Sequence, residues 1–94
     1  MDIPYHPPVK RSLAIHGHRT SISLEPIFWD LLKRAALEEG LALAALVARI
    51  DAERIQAETP PGLAGALRVW LAARIIAGSS PGADSGGSIG EIEQ

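Results

Sequence analysis

The spacing of hydrophobic residues changes from a period of two to a helical period once along this chain. Before Pro26 the apolar residues alternate with polar ones, which is typical of a strand with one buried face. After Pro26 they recur three and four positions apart, which predicts amphipathic helices. We therefore expect β structure over 10–24 and helices from about residue 25 to Gly40, over 43–57 and over 63–76.

The β segment contains two apolar sets that are out of phase. Leu13 and Ile15 are odd-numbered, whereas Ile22 and Leu24 are even-numbered. A straight strand cannot direct both sets to one face, because successive side chains alternate between the two faces. The phase must reverse at His16-Gly17, through either a two-residue turn or a bulge. We slightly favour the turn, which makes a hairpin of residues 10–24.

Each predicted helix has an apolar stripe and a terminating signal. Gly40 suits the end of the first helix, and Thr59-Pro60-Pro61-Gly62 ends the second. The first stripe is Phe28, Leu31, Leu32 and Ala35, with Trp29 beside it on a second contact surface together with Leu32 and Ala36. The second is Leu43, Leu46, Val47 and Ile50, and the third includes Leu67, Trp70 and Leu71.

Composition narrows the class of protein. The 94 residues have a net charge of −2 and include no cysteine, so disulfides and thiolate metal sites are excluded. Apolar runs are interrupted by charges before they reach bilayer-spanning length, and the start of the chain lacks the pattern of a signal peptide. The expectation is a soluble cytoplasmic protein that makes no membrane contact.

Charge is distributed unevenly along the chain. Residues 1–24 carry Lys10, Arg11 and Arg19 against Asp2 alone, whereas residues 79–94 carry three acids and no base. The segments expected are a flexible arm over 1–9, a strand and two-helix domain over 10–57, an additional packing helix over 60–76 and a disordered tail over 77–94. This asymmetry permits contact of the N-terminal part with DNA.

If no hairpin forms, the strand before the first helix has no partner strand in its own half of the chain. An unpaired strand leaves its backbone donors and acceptors unsatisfied. The same strand of a second copy, antiparallel about a two-fold axis, would satisfy them. A hairpin would add outer strands to that ribbon. A two-stranded ribbon fits the major groove of DNA.

The order strand, proline-started helix, glycine break and second helix resembles the ribbon-helix-helix family of DNA-binding proteins. The resemblance covers roughly residues 10–76, and the wording GHRTSISLEP over 17–26 is similar to a bacterial subset of the family. It implies a mainly α fold with a short β-ribbon, namely a ribbon-helix-helix dimer plus an additional C-terminal helix. Alternate strand residues then contact base edges, and the start of the second helix holds a phosphate.

Carried onto this chain, the resemblance assigns three groups of residues. The base-contacting face is Arg19, Ser21 and Ser23. The phosphate contacts at the second helix are Ala42, Leu43 and Ala44, and the positive charges of Lys10 and Arg11 suit phosphate as well. The dimer core is Ile22, Leu24, Phe28, Leu31, Leu43, Val47 and Ile50.

One position departs from the family pattern. The second helix has no Ser, Thr or Asn near its start to cap it, since the residues there are Leu41-Ala42-Leu43.

The expected function is still a homodimeric DNA-binding transcription regulator, a repressor, that binds double-stranded DNA and needs no cofactor. The alternative is a protein-interaction dimer, antitoxin-like or a scaffold, whose Trp70 region binds another protein.

Other chemistry has little support in the sequence. No nucleophile motif or phosphate-binding glycine loop is present, so an enzyme is not expected. His16 and His18, one residue apart without cysteine or a nearby acid, are interpreted as turn and ribbon residues and not as metal ligands. Asp51 follows Ile50 on an apolar helix; either it accepts a hydrogen bond from His18 or it is solvated.

Overall fold

A hairpin followed by three helices forms the fold. The structure, a computed structural model, describes residues 5–78. Its strands are β1 (Val9–Ile15) and β2 (His18–Leu24), and its helices are α1 (Pro26–Glu39), α2 (Leu43–Arg54) and α3 (Leu63–Gly78). Residues 5–8 precede β1 without regular secondary structure. Part of the predicted arm (1–4) and most of the predicted tail (79–94) lie outside the described residues.

A two-residue turn reverses the chain between the strands. His16 and Gly17 have φ angles of 52° and 80°, and positive φ at both central residues matches the right-handed twist of a hairpin. β1 and β2 pair antiparallel, with Ile15 opposite His18 and Val9 opposite Leu24. Of the two alternatives for the phase change, the turn is therefore present and the bulge is not. The idea of a lone strand is wrong, because β1 is the partner of β2.

The helix boundaries follow local signals. Pro26 occupies the first turn of α1, where its missing N–H costs no helical hydrogen bond. At the other end Gly40 adopts φ 69°, and its N–H and that of Leu41 bond back to carbonyls of the last turn. α2 ends at Arg54, three residues before the predicted limit, and α3 runs two residues beyond its predicted end.

The core lies between one face of the hairpin and the three helices. Leu24, Leu32, Leu46, Val47 and Leu67 have essentially no exposed surface. α3 closes this core, since Leu67 and Leu71 are buried and Trp70 is partly buried against it. Of the described helices, none is long and apolar enough to cross a membrane.

The buried stripe of α1 differs from the predicted one. The buried residues are Trp29, Leu32, Ala35 and Ala36, whereas Phe28 and Leu31 are only partly buried. Trp29 is 1% exposed and donates an Nε1–H hydrogen bond to the Val9 carbonyl at 2.9 Å. This bond joins β1 to α1, and the side of the helix that contains Trp29 faces the core. Spacing along α1 alone cannot reveal a contact with a strand twenty residues earlier.

Candidate nucleic-acid interface

The hairpin has one polar face directed away from the helices. Residues directly opposite each other in an antiparallel pair share a face. The pairs Lys10–Ser23, Ser12–Ser21 and Ala14–Arg19 therefore lie together, and all six residues are exposed. We call these six residues the outer face. It presents two cations, three hydroxyls and one methyl group, and no carboxylate.

The opposite face of the hairpin packs on the helices. Ile15, Ile22 and Leu24 are buried there, and Thr20 is partly buried. Arg19, Ser21 and Ser23 alternate with these residues along β2. The structure thus places the three residues predicted to contact bases side by side on one exposed surface.

The cations of the outer face make no ion pair within the described chain, whereas four arginines of the helices do. Arg49, Arg54, Arg68 and Arg74 each pair with a carboxylate at 2.7–3.5 Å. Lys10 and Arg19 form no such pair in residues 5–78, and no acidic residue lies in either strand. Their charge is therefore available to an anion outside the chain.

Lys10 and Arg11, grouped in the sequence analysis as phosphate contacts, lie on opposite faces of β1. Arg11 is opposite Ile22, and its guanidinium lies over the ring of Trp29, 5.3 Å from the centroid. That contact holds the Arg11 side chain on the helix side of the hairpin. Only Lys10 shares the outer face with Arg19.

The start of α2 offers backbone donors without a cap. Ala42 precedes the helix with φ −66° and ψ 152°, and within residues 5–78 no side-chain hydrogen bond caps the first turn. The N–H groups of Leu43 and Ala44 fall in that turn, where a helix has no internal acceptor for them. Leu43 and Ala44 are partly buried and Ala42 is exposed. The structure thus agrees with the sequence in lacking a capping side chain at the start of α2.

The residues predicted as one dimer core separate into two groups. Ile22, Leu24, Val47 and Ile50 are at most 3% exposed within a single chain. They belong to the core of the single protomer, where the hairpin and the helices enclose them. The partly buried members are Phe28, Leu31 and Leu43.

The hairpin turn also contacts α2, through a different histidine from the one considered. His16 Nε2 lies 3.8 Å from Asp51 Oδ2, and Arg54 holds Oδ1 of the same carboxylate at 2.8 Å. Neither alternative considered for Asp51 describes it fully, since its neighbours are His16 and Arg54 instead of His18, and its side chain is only 18% exposed. His18 follows the turn and pairs with Ile15 at the end of the sheet. Within residues 5–78, no three His, Cys, Asp or Glu side chains cluster as metal ligands would.

Sequence reasoning missed the contribution of β1 to the outer face. Ser12 and Ala14 lie opposite Ser21 and Arg19, two of the residues of β2 predicted to contact bases. The turn predicted at His16-Gly17 already implied this register. A polar residue at every second position of β1 up to Ser12 was the available signal.

The geometry agrees with a comparison against known families. A family model described as a ribbon-helix-helix domain matches residues 8–75, most of the chain. The chain belongs to the ribbon-helix-helix family. Domains of this family typically dimerise and bind DNA, and in general they are regulators without enzymatic activity.

A solved structure supports the same fold. This ribbon-helix-helix chain is similar to an uncharacterized protein from Bordetella pertussis Tohama I, with 28% sequence identity and a TM-score of 0.65. The alignment covers 78% of this chain and 59% of that one. The chain thus spans less than two thirds of the length of that relative. No curated protein matches the chain.

Proposed function

We propose that the chain is a homodimeric DNA-binding regulator, acting as a repressor, that contacts the major groove through the outer face of its hairpin. The observation that carries this proposal is the composition of that face. Lys10 and Arg19 are exposed there without an ion pair inside the described chain, beside three serine hydroxyls and no carboxylate. Arginine and serine side chains supply the donors that base edges and phosphates accept.

The free edge of β2 supplies a way to dimerise. β1 pairs with one edge of β2, and a second copy can pair antiparallel with the other. Opposite residues share a face, so odd-numbered outer residues must pair with odd-numbered ones. The register that uses all of His18–Leu24 places Ser21 on the two-fold axis and Arg19 opposite Ser23 of the partner subunit. The two Arg19 residues are then four positions apart, about 14 Å along the strands.

The width of the resulting sheet assigns different roles to the two strands. Four strands about 4.8 Å apart span roughly 14 Å between the outermost axes, more than the ~12 Å width of the major groove. The two central β2 strands can enter the groove, whereas the β1 strands meet its phosphate walls. Arg19, Ser21 and Ser23 then face bases, and Lys10 faces phosphate.

The start of α2 adds a second phosphate contact in this proposal. The backbone N–H groups at Ala42, Leu43 and Ala44 lie at the positive end of the helix dipole. Without a capping side chain, this contact rests on the backbone alone. We therefore expect it to contribute to affinity and not to sequence preference.

The experiment has two parts. Light scattering of the full chain at micromolar concentration should give twice the mass of 10.0 kDa. Genomic fragments recovered on the purified protein should then share a sequence, and binding to it should weaken with salt, since phosphate contacts release counterions. A folded monomer that recovers no common sequence would contradict the proposal.

Arg19 tests the face directly. Arg19→Ala should lower the preference for the recovered sequence over a scrambled duplex, because loss of a bidentate guanine contact costs ~1–3 kcal/mol at each half-site. Ser23→Ala is the matched change on the same strand and should weaken preference less, since a hydroxyl discriminates poorly between bases. Titrations of both variants at two salt concentrations measure this. Wild-type preference in Arg19→Ala would show that the outer face does not contact bases.

The alternative function is a protein-interaction dimer of the antitoxin or scaffold type. The uncapped start of α2 favours it, because Ala42 contributes no side-chain donor or acceptor to a phosphate site. Trp70, partly buried on α3, belongs to the surface considered for a protein partner. A dimer whose DNA binding shows neither sequence preference nor salt dependence would support this alternative.

A further inference from the structure

Helices α1 and α3 leave an open groove of about 580 Å³ between them. Leu31 of α1 and Leu71 and Ile75 of α3 supply much of its apolar lining. Leu71 is buried, Leu31 is half-buried and Ile75 is 49% exposed. The volume is in the range of sites that hold small organic ligands.

Among the charged residues that line this groove, Arg34 has no ion-pair partner within residues 5–78. Arg74 is fully engaged, with one guanidinium nitrogen 2.7 Å from Glu38 and another 2.8 Å from Glu39. Glu38 is four residues from Arg34, the usual spacing of a helical ion pair, but its carboxylate is bound to Arg74. Arg34 therefore lines the groove without an ion pair among the described residues. Of the three charged residues that line the groove, two are positive and one is negative.

We propose that this groove binds a small organic monocarboxylate with an aromatic or aliphatic body. The apolar body would cover Leu31, Leu71 and Ile75, and the carboxylate would pair with Arg34. A guanidinium presents two parallel N–H donors to a carboxylate, so this pairing selects an acid over its neutral amide. The unpaired Arg34 beside an apolar surface favours an occupant that combines both properties.

The same groove has a physical connection to the hairpin. Arg68 of α3 donates two hydrogen bonds to Glu25 Oε1, at 2.9 and 3.1 Å, and Glu25 joins the end of β2 to the start of α1. α3 also packs directly against β2. If α3 can adopt two positions that differ in how they hold the hairpin, a ligand that binds one of them more tightly changes the affinity for DNA. This regulatory step, unlike the binding itself, rests on the proposed function.

Binding is tested with 4-phenylbutyrate as the probe and its amide as the neutral control. Titration of the full-length ¹⁵N-labelled protein should shift the backbone amide signals of Leu71 and Ile75, and the amide should bind at least about tenfold more weakly. Arg34→Gln should weaken binding of the acid by a similar factor. Lys33→Gln, a neighbouring exposed cation that does not line the groove, should leave binding unchanged. Both variants replace exposed residues, so unchanged melting curves serve as the folding control.

Three outcomes would overturn the proposed binding site. Two are equal binding of the acid and the amide, and equal effects of Arg34→Gln and Lys33→Gln. The third is the absence of any shift at Leu71 or Ile75, which is expected if a second copy of the chain covers the groove. The regulatory step is tested by repeating the DNA titration with saturating 4-phenylbutyrate, where at least about a fivefold change in affinity is expected. Ligand binding without any DNA binding would contradict the proposed function and leave the site intact. If the protein binds both 4-phenylbutyrate and DNA, but neither affects the affinity for the other, only the proposed coupling between the two sites is rejected.

Discussion

The hairpin and α3 use positively charged residues in opposite ways. On α3, Arg68 bonds to Glu25 just before α1 and Arg74 to glutamates of α1, so their charge is neutralised inside the fold. On the outer face of the hairpin, Lys10 and Arg19 have no carboxylate partner in the described chain. A net charge of −2 therefore coexists with a locally positive surface. The location of the acids decides which basic residues serve the fold and which remain available for a partner.

The largest expected difference separates the two faces of β2. Ile22→Asp should abolish the cooperative thermal transition, because burying an unpaired carboxylate costs several kcal/mol at a residue that is 3% exposed. Ser21→Asp, one residue earlier on the outer face, should retain a folded protein. Circular dichroism melts of both variants measure this. Equal melts would contradict the assignment of the two faces.

A smaller loss is expected on α3. Leu71→Ala should destabilise the protein by about 2–5 kcal/mol, because Leu71 is 1% exposed and its truncation leaves a cavity between α3 and the core. Val69→Ala, on the same helix at 69% exposure, should change stability by less than about 0.5 kcal/mol. Urea unfolding supplies both values. Similar midpoints for the two variants would show that α3 does not pack on the domain in solution.

Lys10 and Arg11 sharpen the comparison within one strand. Lys10→Ala should lower DNA affinity evenly across sequences and reduce the salt slope by about 0.9 for each phosphate that the variant no longer neutralises. Arg11→Ala should leave that slope unchanged and lower stability by ~0.5–1 kcal/mol, because its guanidinium lies over Trp29. DNA titrations at several salt concentrations, paired with melting curves, distinguish the two. A reduced salt slope in Arg11→Ala would place this side chain at the DNA.

The smallest effect concerns the ion pairs of α3. A hydrogen bond from its own backbone N–H, and then those from Arg68, lower the pKa of Glu25 from its ordinary value near 4.5. A carboxyl whose pKa is lower in the folded state stabilises the fold above the unfolded pKa, and this contribution is lost as the pH falls through the folded pKa. Arg68→Gln should therefore melt slightly below the wild type at about pH 6, with the difference shrinking below pH 4.5.

The control for this last prediction is Arg19→Gln, since Arg19 is exposed and has no carboxylate partner in the described chain. Its melting temperature should follow that of the wild type at every pH. A difference for Arg68→Gln that persists unchanged at low pH would show that its effect comes from packing over Phe28, 5.7 Å from the guanidinium, and not from Glu25.

Much of the fold was predictable because its signals are local. The change of apolar phase located the turn at His16-Gly17, and Gly40 located the end of α1. The same alternation assigned Arg19, Ser21 and Ser23 to the exposed side of β2. Each of these inferences depends on neighbouring residues and on the period of regular secondary structure.

The contacts that join distant segments were decided only in the tertiary structure. Periodicity indicates that α1 is amphipathic, but the bond from Trp29 to the Val9 carbonyl determines which side faces inward. Likewise, charge counts cannot show that Glu25 and Glu39 engage Arg68 and Arg74 on α3 and leave Arg19 unpaired within the described chain. Sequence alone therefore determined the elements and the two faces of the strand. The assignment of each buried or charged side chain to its partner required the packed helices, because ion pairs and core contacts form between segments whose separation along the chain carries no periodic signal.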